Sequence, residues 1–126
     1  MQVLIADCDS EFLDIAKRFM TQCGHEAIVA SNGLECIACL RDSAPDIVVL
    51  DSELQWGGSD GVCEFMKEEP ALEAIPIILI TNEEPECKTD CKADFRIFDR
   101  MKKPYSLTQL VGRLQACEMN SIRSLV

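Results

Sequence analysis

Three apolar runs in this chain each end on residues able to do chemistry. Asp51 closes Ile47-Val48-Val49-Leu50, Asp7 and Asp9 follow Val3-Leu4-Ile5-Ala6, and Thr81 follows Ile77-Ile78-Leu79-Ile80. A fourth feature, Lys103-Pro104, follows a less apolar segment. Carboxylates, a hydroxyl and an ammonium suit a hard cation and a phosphoryl group. They can meet only if the runs are parallel strands, whose carboxyl ends open on one crevice.

The intervening segments fit that requirement. Gln2 to Ala6 reads as a first strand, with Ser10 as N-cap of a helix carrying Phe12, Leu13, Ile15, Ala16, Phe19 and Met20 at helical spacing. Gly24 stops that helix at the position a C′ glycine takes. Ala27 to Ala30 is a short second strand. Asn32 can cap a second helix with Leu34, Ile37, Ala38 and Leu40 inward, ending before Pro45. Asp46 to Asp51 is the third strand, and Asp60 caps a third helix to about Glu69. Pro76 opens the fourth strand, a near-continuous apolar run of the kind covered on both faces. Glu84 to Ala93 reads as a polar fourth helix, Arg96 to Met101 contains the fifth strand, and Ser106 caps a last helix with Leu107, Leu110, Val111 and Leu114 inward. Strict alternation of five strands and five helices implies a parallel α/β sheet with right-handed crossovers.

Composition narrows the possibilities. The 126 residues suit one domain, with a core over about 2–118 and residues 119–126 as a tail or helix extension. Acidic residues outnumber basic ones 22 to 12, so a nucleic-acid backbone is repelled and direct nucleic-acid binding is not expected. No run approaches a bilayer span and no secretory pattern precedes the first strand, so a cytoplasmic location and no membrane contact are expected. The eight cysteines then read as reduced thiols. Cys36 and Cys39 lie within a helical pattern, as small hydrophobes rather than a redox motif. Cys87 and Cys91 would share a helix face but lack two further ligands for zinc. Cys23, Cys63 and Cys117 read as packing residues.

With these motifs in register, the chain resembles the receiver domain of two-component response regulators over nearly its whole length. The resemblance implies a doubly wound, flavodoxin-like sheet of order 2-1-3-4-5. It also implies that Asp51 accepts a phosphoryl group from a histidine kinase or phosphotransfer protein. Mg²⁺ would be held by Asp51, Asp7, Asp9 and the Glu53 carbonyl, with Thr81 and Lys103 binding the phosphoryl group. The Lys103-Pro104 bond is implied to be cis. Output would pass to a downstream protein through the face built by the Glu84–Ala93 helix, the fifth strand and the last helix. No enzymatic activity is implied beyond assistance to the domain's own phosphorylation and dephosphorylation.

Three positions depart from that family's pattern. Cys8 stands where a second acidic ligand belongs, which lowers the expected Mg²⁺ affinity because hard cations take oxygen. The loop after Asp51 carries Gln55, Trp56 and Gly57-Gly58 in place of the usual shorter turn. Arg100 replaces the aromatic switch residue, and burying an unpaired guanidinium is costly. The alternative function is therefore a pseudo-receiver that binds partners without being phosphorylated. A flavin-binding electron carrier on the same sheet is opposed by Asp7-Cys8-Asp9, which would repel a flavin phosphate.

Overall fold

Alternate residues of the strands carry hydrocarbon to both faces of a single sheet, and helices cover each face. A computed structural model describes residues 1–56, 58–82 and 97–125, with side chains described through Met119. The strands are β1 (Gln2–Ala6), β2 (Glu26–Ala30), β3 (Ile47–Asp51), β4 (Ile77–Thr81) and β5 (Ile97–Lys102). All pairings are parallel, in the order β2-β1-β3-β4-β5. The helices among the described residues are α1 (Ser10–Gln22), α2 (Gly33–Asp42), α3 (Gly58–Glu68) and α4 (Leu107–Leu125). The helix expected over Glu84–Ala93 lies outside the described residues.

Side-chain alternation divides the core in two. Val3 and Ile5 of β1, Ile47 and Val49 of β3, and Ile78 and Ile80 of β4 pack beneath α1 and α4, against Leu13, Ala16, Met20, Leu110 and Leu114. Leu4 and Ala6, Val48 and Leu50, and Ile77 face the other way, against Cys36 and Leu40 of α2 and Val62, Cys63 and Met66 of α3. β3 is buried along its whole length, as a central strand with helices on both sides must be.

The helix ends show local chemistry at work. Asp9, not Ser10, caps α1: its carboxylate accepts from the Glu11 and Phe12 amides, the N2 and N3 donors that lack a partner in the helix. Gly24 takes φ +88° after α1, the left-handed turn expected of a C′ glycine. Asn32 caps α2 through Glu35 N at 2.9 Å. Ser106 and Gln109 bond reciprocally in a capping box at the start of α4, and that helix runs on to Leu125, the extension being the one of the two readings of residues 119–126 that is seen.

Other expectations are corrected. α3 begins at Gly58, so Asp60 lies inside its first turn rather than at its cap. On α2, Leu40 is buried and Ile37 packs against the core as expected, joined by Gly33 and Cys36, whereas Leu34 is 63% exposed and Ala38 is exposed. Ile15 on α1 and Cys23 at its C-cap are also exposed. β5 reaches Lys102, and the register slips between Ile77 and Ile78, leaving Phe98 without an opposite residue.

Candidate functional site

Register along the sheet decides what meets at its carboxyl edge. Ala6 lies opposite Leu50, so Asp7 and Asp51 emerge side by side from β1 and β3. Thr81 ends β4 opposite Lys102, and its carbonyl accepts from Lys103 N at 2.9 Å. The next bond, Lys103-Pro104, is cis.

Asp51 is 1% exposed. Its Oδ2 accepts from Lys103 Nζ at 2.9 Å and its Oδ1 from Glu53 N at 3.0 Å. Asp7 is also buried, and its Oδ1 accepts from Asp9 N at 2.9 Å. One ligand atom each from Asp7, Cys8 and Asp51 fall within 4.8 Å of one another. Asp9 is outside that group, because its carboxylate caps α1. Glu53 turns its side chain to Asn82, whose amide donates to Oε2.

Asp7 feels both its burial and the neighbouring carboxylate. Burial raises the Asp7 pKa and the Asp51 charge adds to it, against the Asp9 amide and Lys103, which lower it. Burial also works against the Lys103 ammonium. The bond to Asp51, with the charges of Asp51, Asp7 and Glu53, outweighs it and raises the lysine's pKa. The cleft therefore holds carboxylates against a firmly protonated amine.

Tyr105 was not singled out in the sequence. It packs edge-on against Phe12, ring centroids 5.9 Å apart, and its hydroxyl is buried without a hydrogen-bond partner among the described residues. Together with Asp7, Cys8, Asp9, Phe12, Lys103 and Pro104 it lines a cavity of about 310 Å³. Gly33 was also missed. Its amide donates to Gln55 O at 2.8 Å, and a Cβ there would lie 2.1 Å from the Trp56 carbonyl. This contact fixes the loop after β3, where Trp56 adopts φ 59° and is 66% exposed. Both contacts are non-local, and only Tyr105, next to Lys103-Pro104, could have been suspected from its position. Arg100 sits part-buried on β5 opposite Leu79, its amide donating to Asp99 Oδ1.

A buried aspartate paired with lysine thus stands at the carboxyl edge of a 2-1-3-4-5 sheet. Residues 3–115 match the family of response regulator receiver domains, and the chain belongs to that family, the receivers of two-component signalling. Among curated proteins, the chain is 29% identical over 115 residues to the probable transcriptional regulator ycf27 of Porphyra purpurea, covering 91% of this chain and 46% of that protein. It is 28% identical over 114 residues to the sensory transduction protein RegX3 of Mycolicibacterium smegmatis, covering 90% and 49%. The chain thus spans about half the length of these relatives. Among solved structures, the receiver domain of Francisella response regulator 1452 superposes with a TM-score of 0.83 at 20% identity, over 95% of this chain and 98% of that one. Chemotaxis regulator CheY4 of Vibrio cholerae gives 0.83 at 21%, over 92% and 97%. These two show the fold.

Receiver domains in general interact with histidine kinases and downstream targets, and bind Mg²⁺ at an acidic pocket. Two of the three converging donors, the Asp7 and Asp51 carboxylates, are of the kind that ion takes, and the third, Cys8, is not. Mg²⁺ demands oxygen in near-ideal octahedral geometry, and one of the three converging donors is sulfur. No helix among the described residues is long and apolar enough to cross a membrane.

Proposed function

We propose that Asp51 is a phosphoacceptor and that its phosphorylation switches binding to a protein partner. The observation that carries this is the buried Asp51 carboxylate held at 2.9 Å by Lys103, with Asp7 and the exposed Cys8 converging beside it.

An Asp51 oxygen attacks the phosphorus of a phosphohistidine or a small phosphodonor. A carboxylate–phosphorus bond forms as the bond to the donor nitrogen or oxygen breaks, and the electron pair leaves with the donor. Such transfer depends mainly on positioning and charge neutralisation. Lys103 supplies positive charge that follows the transferred oxygens, and the Glu53 amide holds the nucleophile's other oxygen in place. Thr81, at the end of the neighbouring strand, offers a hydroxyl to the phosphoryl group. The added charge and acceptor oxygens draw on Thr81 and Lys103, and so on β4 and β5, whose face passes the change to a partner.

Intact-mass analysis of the wild type and of Asp51→Asn after incubation with acetyl phosphate tests this. A single phosphoryl adduct on the wild type, absent from the variant, is expected. An adduct of equal yield on Asp51→Asn would place the acceptor elsewhere.

A further inference from the structure

We infer that Asp7, Cys8 and Asp51 form a divalent-cation site that prefers a sulfur-accepting ion of the zinc class to Mg²⁺. The inference concerns the cleft of the proposed phosphoacceptor but does not rest on phosphorylation.

The three donor atoms lie within 4.8 Å of one another. Donors around a tetrahedral zinc stand roughly 3.4 Å apart, so modest side-chain rotation closes the set. They come from two strand ends fixed by sheet register, with Cys8 next to Asp7, which gives the site a rigid base. Thiolate and carboxylate together suit zinc and its heavier congener cadmium, whereas Mg²⁺ and Ca²⁺ take oxygen. Three protein donors leave one position open, on the side where Cys8 reaches solvent.

Charge in the cleft points the same way. Asp7 and Asp51 are more than nine-tenths buried, and Lys103 engages Asp51 through a single oxygen, Oδ2. A carboxylate oxygen accepting one hydrogen bond keeps a lone pair for an ion. A cavity of about 310 Å³ lined by Asp7, Cys8, Asp9 and Lys103 adjoins two of the three donors and leaves room for water in the ion's open shell. On binding, the Cys8 thiol loses its proton to solvent as the sulfur–metal bond forms, with no change of oxidation state.

The test is calorimetric titration of reduced protein with Zn²⁺ and with Mg²⁺, without phosphodonor, for the wild type, Cys8→Ser and Cys8→Asp. Because Cys23 is also exposed, the difference between variants is the readout, supported by thiolate-to-cadmium ultraviolet absorption. Cys8→Ser should weaken Zn²⁺ binding about tenfold or more, and Cys8→Asp should strengthen Mg²⁺ binding by a similar factor. Loss of one thiolate's worth of cadmium absorption should accompany either change. Unaltered Zn²⁺ affinity in Cys8→Ser, or no gain of Mg²⁺ affinity in Cys8→Asp, overturns the proposal. A protein that binds Zn²⁺ through Cys8 yet takes no phosphoryl group would instead refute the phosphoacceptor reading alone.

Discussion

Lys103 is the residue on which the electrostatics of the cleft turn. Asp51 is 1% exposed, and a carboxylate left in that position without its ammonium keeps one backbone donor, the Glu53 amide. Breaking a fully buried pair costs about 3–5 kcal/mol, but the Lys103 side chain is 29% exposed and water can partly replace it. Lys103→Ala is therefore expected to destabilise the fold by about 1–2 kcal/mol, read from the urea midpoint at neutral pH. An unchanged midpoint would mean that the pair contributes nothing. Asp7, Asp51, Thr81 and Lys103 were legible in the sequence because parallel strands bring their ends to one edge. The division of labour among Asp7, Cys8 and Asp9 was not. Beyond Ala6 the period of two no longer applies, and the α1 amides claim the Asp9 carboxylate.

At the scale of elements, α2 is where pattern and structure part. Apolar spacing places Leu34 and Ala38 inward, yet Gly33, Cys36 and Leu40 face the core. Gly33 lies close against the Gln55-Trp56 backbone, a contact that hydropathy does not register. Gly33→Ala must push that loop aside, at a cost of about 1–3 kcal/mol measurable by urea unfolding, with a shift in Trp56 fluorescence. No change in either would show that the contact is slack. Cys36 on the same helix is pushed up to about 12 from its ordinary 9.0, first by burial and then by Cys39 and Cys63. The unfolded chain thus loses this proton first, so stability is full below pH 9 and falls as pH rises from 9 towards 12. Cys36→Ala should flatten that alkaline decline relative to its own stability near pH 8, as followed by urea unfolding across that window. An equally steep decline would show that Cys36 does not carry it.

For the whole molecule, order and topology were nearly all legible, because strict alternation of strand and helix admits few arrangements. The weakest expectation, the fifth strand, fell within one residue of its Arg96–Met101 window, ending at Lys102 and interrupted at Phe98 by a slip that no local pattern signals. Net charge is the other global property. At −10 the surface repels a phosphate backbone, so this chain should not retard duplex DNA at salt near 0.15 M. Salt-sensitive retardation would reveal a basic patch that the charge count conceals. The central claim, a phosphoacceptor at Asp51, is tested most directly by trapping the acyl phosphate. Protein exposed to acetyl phosphate is reduced with borohydride, which converts a phosphorylated aspartate to homoserine, and its peptides are sequenced by mass spectrometry. Homoserine at position 51 alone is the predicted result. Homoserine at position 7 or 9, or none with acetyl phosphate or a phosphohistidine donor, would contradict it.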